Sequence, residues 1–200
     1  MWHPLGVRVA LIALAAAGLV AILVIGLTQA GSGNDNTEKL PKFNLQAARR
    51  ALATAPAPLS GLYAQANELL TGGTSAFTHR LAVLKGRPLV INKWASWCPP
   101  CQAEFPIFQS VAAKQGTRVG FLGLDVNDAG AAAKRFLARR PLPYPSYVDT
   151  GEHLTHSIAA PLKIAPVTIF LDRAGKTAYI HTGAYLSAAQ LSTDIRRYLH

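Results

Sequence analysis

The chain has 200 residues, 50% of them hydrophobic, and carries 20 Lys and Arg against 10 Asp and Glu, a formal charge of +10. That length holds one domain with appendages, and two cysteines three positions apart exclude a framework of structural disulfides. The basic residues stand in ones and twos (Arg49-Arg50, Lys134-Arg135, Arg139-Arg140, Arg196-Arg197) with no aromatic-interleaved stripe; the expectation is a solvated surface near an anionic membrane or cell wall, with no nucleic-acid partner.

Residues 1–30 read as a short cytoplasmic head and a transmembrane anchor. Val9 to Leu27 is a run of nineteen residues without a charge. A bilayer core needs about 20 apolar residues, and the apolar region of a cleaved signal peptide is shorter, roughly 7–15. Thr28-Gln29-Ala30 leaves processing as the alternative. Flanking charge orients the span weakly, because Arg8 precedes it and Lys39 and Lys42 follow at a distance, but a large C-terminal domain translocates largely regardless of charge. A single-pass cell-membrane protein with its domain outside the cytoplasm is expected. Residues 31–43, opening Gly31-Ser32-Gly33-Asn34-Asp35-Asn36-Thr37, have the composition of a flexible linker.

Residues 44–200 are expected to form the folded domain. Its first part, 44–87, reads as a helical preamble. Leu45, Ala48 and Leu52 recur at helical spacing, and Ala55-Pro56-Ala57-Pro58 stops them. Leu59, Leu62, Tyr63, Ala66, Leu69 and Leu70 predict a second helix closed by Gly72-Gly73, and Phe77, Leu81 and Leu84 a third that ends at Gly86.

Leu89-Val90-Ile91 then opens a buried strand on which Asn92 and Lys93 also lie. It gives way to Cys98-Pro99-Pro100-Cys101 and to helical spacing at Phe105, Phe108, Val111 and Ala112. Three-residue separation at a helix start places both sulfurs on one turn, close enough to bridge. A thiolate is the nucleophile in disulfide exchange, and the free N–H groups and dipole of a helix start favour negative charge there. With Cys98 at the N-cap, Pro99 and Pro100 fill the first helical positions, where a missing N–H costs little, and the Cys101 N–H is the nearest donor to the sulfur.

Val119 to Asp125 reads as the next parallel strand, Asp128 as the cap of a helix reaching Arg139 or Arg140, and Tyr147-Val148 as a short strand after the breaks at Pro141, Pro143 and Pro145. Asp149 or Thr150 starts a helix around His153 to Ala159. Pro166 stands at the mouth of an apolar strand that ends at Asp172, and a tight turn at Asp172-Arg173-Ala174-Gly175 leads into Thr177 to Thr182, a closing hairpin. Ser187 and Gln190 form a capping box for a last helix that buries Leu191, Ile195 and Leu199. Strands alternating with helices, then a hairpin and a helix, make an α/β domain.

Trp94-Ala95-Ser96-Trp97-Cys98-Pro99-Pro100-Cys101 after an apolar strand, with Glu104-Phe105-Pro106 following, resembles the TlpA/ResA-like thioredoxins, which are membrane-tethered thiol–disulfide oxidoreductases; the resemblance runs from about Pro88 to the C-terminus. It implies a thioredoxin fold, a central mixed sheet flanked by helices, at 88–200, with the helical extension at 44–87 and the single transmembrane helix before it. It implies a redox-active Cys98–Cys101 disulfide in an enzyme without a cofactor or metal. Pro166 becomes the cis-proline that lies against the disulfide, and Trp97, Pro99, Pro100, Ala165 and Pro166 become the substrate-binding surface. Cys98 is then the exposed attacking sulfur and Cys101 the resolving one. Partners are protein disulfides and dithiols outside the cytoplasm, such as apocytochrome c during cytochrome c maturation, together with a membrane electron donor or acceptor.

Two strand positions depart from the pattern. Asn92 stands where many thioredoxins carry a buried acid that relays protons to the second cysteine, and Lys93 where an apolar residue is usual; Lys93 is expected to snorkel its head to solvent. Glu104, three residues beyond Cys101 on the same helical face, is the candidate to take up the proton of Cys101 instead. Trp94 is expected in the core and Trp97 over the site, whereas His153 and His156 carry only a weak metal-binding pattern. The alternative functions are a peroxiredoxin-like thiol peroxidase, which wants a threonine where Ala95 stands, and a copper or zinc carrier that uses the cysteine pair as soft ligands.

Overall fold

The computed structural model describes residues 40–159 and 163–199. The anchor expected at 9–27 and most of the linker lie outside them, and among the described residues no helix is long and apolar enough to cross a membrane.

The preamble begins with α1 (Leu45–Leu52), capped by Asn44, whose side chain accepts from the Ala47 N–H at 2.9 Å. The proline-rich break then leads to α2 (Leu59–Ala64), which is shorter than the apolar spacing predicts. Leu69 and Leu70, expected in its last turns, form an edge strand instead, β1 (Leu69–Leu70). The cause lies at Asn67, which adopts a left-handed φ of 66° and turns the chain. Its N–H donates to the Tyr144 carbonyl at 3.1 Å, and its side chain accepts from the Leu142 N–H at 2.9 Å. These bonds pull the segment alongside the sheet. Gly72, with φ at +109°, accordingly opens α3 (Gly73–Val83) rather than closing a helix.

The remaining elements are β2 (Leu89–Trp94), α4 (Pro99–Gln115), β3 (Gly120–Val126), α5 (Gly130–Arg139), β4 (Ser146–Asp149), a 3₁₀ turn (Thr150–Glu152), α6 (His153–Ile158), β5 (Val167–Leu171), β6 (Thr177–Thr182) and α7 (Ala188–Tyr198). One mixed sheet runs in the order β1-β4-β3-β2-β5-β6. The first four strands are parallel, and β5 and β6 are antiparallel to their neighbours. β2 is fully buried at the centre, which explains its unbroken apolar character. Asp149 caps the entry to α6 as expected, accepting from the N–H groups of Leu154 and Thr155 at 2.8 and 2.9 Å.

α4 packs beside α7 and α1, and α3 packs beside α6. Alternation along β2 separates these two layers: Asn92 and Trp94 reach residues of α4, whereas Lys93 reaches the turn before α6. Trp94, Phe105 and Phe136 form an aromatic cluster with centroids 4.7–5.6 Å apart, joining β2, α4 and α5. The preamble belongs to the same core. The Tyr63 hydroxyl donates to the Val119 carbonyl at 2.7 Å and accepts from the Phe121 N–H at 3.2 Å, stitching α2 to β3.

Candidate active site

β2 delivers the chain into a short loop, Ala95-Ser96-Trp97, that α4 terminates. Cys98 is the N-cap of α4, with extended backbone, and Pro99 and Pro100 fill the first helical positions. Cys98 and Cys101 are joined as a disulfide, and the Cys101 N–H donates to the Cys98 sulfur at 3.3 Å. The first turn of α4 thus aims its one available amide at Cys98, the contact that stabilises a thiolate there when the pair is reduced. The expected exposure of Cys98 needs correction: the residue is 3% exposed in the disulfide and Cys101 0%, because the N-cap position folds both sulfurs against the core.

The loop before the cysteines is pinned from three sides. The carboxylate of Asp128, expected to cap α5, turns back and accepts from the Ser96 N–H and from the Ser96 hydroxyl; Ala129 takes the N-cap position of α5. Gln102 donates its side-chain amide to the Ser96 carbonyl at 2.7 Å. The Trp97 indole N–H donates to the Asn127 carbonyl at 3.2 Å, while the ring stays 59% exposed.

Glu104 is completely buried. One carboxyl oxygen accepts from the Asn92 side chain and the other from the Tyr185 N–H, both at 3.1 Å. Burial pushes the carboxyl up to about 8, against the smaller opposing pull of these two donors. Helical spacing puts Glu104 one turn below Cys101. A carboxyl that titrates near neutrality, one turn from the inner sulfur, is chemically suited to hold or take a proton there. Asn92 serves as its donor, consistent with an amide that carries no proton relay itself.

Two neighbouring residues were not legible in the sequence as site groups. Asp125 is the last residue but one of β3, lies beside Trp94 in register and is 1% exposed, and the Asp128 carboxyl is its charged neighbour. Burial first, and then the charge of Asp128, push it up to about 8; the only sequence signal was an acid at the end of an apolar strand. Lys93 does not snorkel. It is fully buried, with Nζ 2.6 Å from the Glu152 carboxylate, because its position on β2 faces the α3–α6 layer rather than solvent.

The topology gathers the remaining pieces at one end of the sheet. β5 runs antiparallel to β2, so its start lies beside the end of β2 that leads to Cys98. The Ala165–Pro166 peptide is cis, and the Pro166 carbonyl accepts from the Gly183 N–H at 3.0 Å. β6 in turn ends there, leading to Tyr185 and Leu186. Trp97, Ile164 and Leu186 are therefore on loops at the cysteine end, and they are three of the four exposed large hydrophobic side chains among the described residues. Ile164 and Leu186 were missed in the sequence, where single apolar residues in loops carry no pattern. His153 and His156 belong to α6, and among the described residues no three His, Cys, Asp or Glu side chains are placed to share a metal ion.

Comparison with known proteins agrees with this geometry. The chain is 28% identical over 125 residues to the thiol-disulfide oxidoreductase ResA of Geobacillus kaustophilus, a match covering 60% of this chain and 66% of the relative. It is 33% identical over 102 residues to the thiol:disulfide interchange protein DsbE of Tatumella citrea, covering 51% of this chain and 53% of the relative. The chain thus spans less than two-thirds of the length of each of these curated relatives. Among solved structures, a secreted Mycobacterium tuberculosis disulfide oxidoreductase homologous to E. coli DsbE superposes with a TM-score of 0.51 at 26% identity, covering 58% of this chain and 85% of that one. The fold is thioredoxin-like, and the Redoxin family model matches residues 37–194, from the preamble through the cysteine pair to the last helix; the chain belongs to the Redoxin family.

Proposed function

We propose that the chain is a thiol–disulfide oxidoreductase that exchanges disulfides with protein thiols through Cys98 and Cys101. The observation that carries the reading is the pairing of a disulfide at the N-terminus of α4 with a buried, near-neutral carboxyl one turn deeper. The names of the relatives support the same chemistry.

In the reducing direction the Cys98 thiolate attacks a substrate disulfide. A mixed disulfide forms and the first substrate sulfur leaves as a thiolate, which takes a proton from solvent. Glu104 in its ionised form takes the proton of Cys101, and the Cys101 thiolate attacks the Cys98 sulfur. The Cys98–Cys101 disulfide closes, the second substrate sulfur leaves, and two electrons have passed to the substrate. In the oxidising direction neutral Glu104 returns its proton to Cys101 as the disulfide opens. Trp97, Ile164 and Leu186, with Pro99, Pro100 and the partly exposed Ala165, offer an extended peptide an apolar surface at the cysteine end, and Pro166, itself buried, lies beneath it.

The setting of this activity is a further part of the proposal. Val9 to Leu27 tethers the domain to the cell membrane, with residues 44–200 outside the cytoplasm and 31–43 as the tether. The substrates are extracytoplasmic protein thiols, those of apocytochrome c in cytochrome c maturation among them, and a membrane protein supplies or accepts the electrons. The resemblance of the Trp-Cys-Pro-Pro-Cys segment to the TlpA/ResA-like thioredoxins supports this setting.

Capture tests the reading directly. Cys101→Ala should hold protein partners as mixed disulfides on Cys98 that a reductant releases, and Cys98→Ala should hold none. Equal capture by both variants, or by neither, overturns the role assignment.

A further inference from the structure

Lys93 is the side chain that the proposed chemistry leaves unused, and burying an ammonium costs several kcal/mol unless it is paired and hydrogen-bonded. Its pairing does more than neutralise it. Nζ lies 2.6 Å from one oxygen of Glu152, and the other oxygen accepts from the Asn127 side-chain amide at 3.0 Å. The Asn127 side-chain oxygen accepts from the Gly151 N–H at 2.9 Å, and the Asn127 backbone carbonyl accepts from the Trp97 indole at 3.2 Å. The contacts form an unbroken line from the centre of β2 to the exposed tryptophan beside Cys98.

The backbone along that line is strained. Asn127 and Glu152 have φ of 50° and 62°, left-handed conformations that side-chain-bearing residues adopt at a cost. Their side chains share one hydrogen bond, the Asn127 side chain also holds the Gly151 N–H, and Lys93 fixes Glu152 in turn. Without those bonds the turn at 127 would be free to relax, and the carbonyl that receives Trp97 would move with it. Lys93 also pairs in register with Val167, the residue after Pro166, so the same ion pair lies under the start of β5.

We propose that Glu152 and Asn127, anchored by the buried Lys93, are positioning residues that hold Trp97 in the orientation in which it meets a protein substrate. The inference rests on the oxidoreductase reading, in which Trp97 contacts substrate. It makes a feature of this chain, a lysine in a central strand, part of how the active-site face is set.

Steady-state reduction of insulin by the full chain, with dithiothreitol as electron donor, tests it. Asn127→Gly keeps a residue at ease in the left-handed region and removes both side-chain bonds. Lys93→Met/Glu152→Ala removes the pair without leaving a lone buried charge. Each should raise KM for insulin about fivefold, the loss expected for one positional hydrogen bond, with kcat changed far less. In a Trp97→Ala background Asn127→Gly should have no further effect on KM, because the group it positions is gone. The Trp97 indole N–H, followed by NMR and assigned with Trp97→Phe, should exchange faster with solvent in Asn127→Gly. A KM effect of equal size with and without Trp97, or an unchanged KM and indole exchange in variants that only lose thermal stability, overturns the proposal. Failure of the wild-type chain both to reduce insulin and to oxidise reduced insulin chains would sink the oxidoreductase reading; the indole exchange would still report on the positioning line.

Discussion

Lys93 on strand β2 and Glu104, bonded to that strand through Asn92, are both ionisable and both fully buried, yet they are handled in opposite ways. Lys93 keeps an opposite charge at 2.6 Å, whereas Glu104 has two neutral donors and a carboxyl pushed by burial to about 8. Burial disfavours the charged form of Glu104, and its two neutral donors offset that only in part. Removing the titratable proton should therefore show in the pH profile. Glu104→Gln should fold, lose the inflection near pH 8 in turnover, and slow the step that needs the Cys101 thiolate by roughly 10²-fold, the low end for a general base. A Glu104→Gln profile that retains the inflection assigns it to another group. The position of Glu104 was legible, because helical spacing alone puts it a turn from Cys101. Its partners were not, since the Tyr185 N–H is 81 residues away and nothing local announces it. The same holds for Lys93, misread as solvent-seeking because Glu152 is 59 residues distant.

At the scale of elements, α4 is the piece that the active site stands on, and it contains a proline. Pro106 cannot donate to the Gln102 carbonyl, and the Arg140 guanidinium takes that place at 2.7 Å, from just beyond α5. Arg140 thus closes a gap one turn from Cys101. Arg140→Ala should cost about 1 kcal/mol and speed amide exchange at Cys101 and Gln102 more than at the far end of the helix; uniform protection along α4 would count against it. Deeper down, Phe105→Ala should cost roughly 3–5 kcal/mol in urea unfolding, because the ring fills the space between Trp94 and Phe136. Elements with long apolar runs, β2, β3 and β5, were legible from the sequence. β1 was not: two residues of strand sit within a helical spacing, and only a tertiary event, the left-handed turn at Asn67 bonded to the 142–144 segment, decides against the helix.

Over the whole domain, two buried carboxyls with raised values make stability depend on pH with a definite sign. Glu104 rises from 4.5 and Asp125 from 3.8, both to about 8, and burial is the main cause of each. In the unfolded chain both are ionised above about pH 5, whereas the folded chain keeps their protons until pH rises through 8. Between those limits the unfolded state binds fewer protons, so stability falls as pH increases. His181, lowered from 6.5 chiefly by burial, acts in the other sense at lower pH, where charging it favours unfolding. The clean window is therefore pH 6.5 to 8. Across it the oxidised domain should lose roughly 2–3 kcal/mol, read as a falling urea midpoint at constant slope. Glu104→Gln and Asp125→Asn should each remove about half of the loss, and together they should leave the midpoint level. A wild-type midpoint that is flat or rises over this window would show that neither carboxyl retains its proton in the folded state, and the proton role given to Glu104 would fall with it.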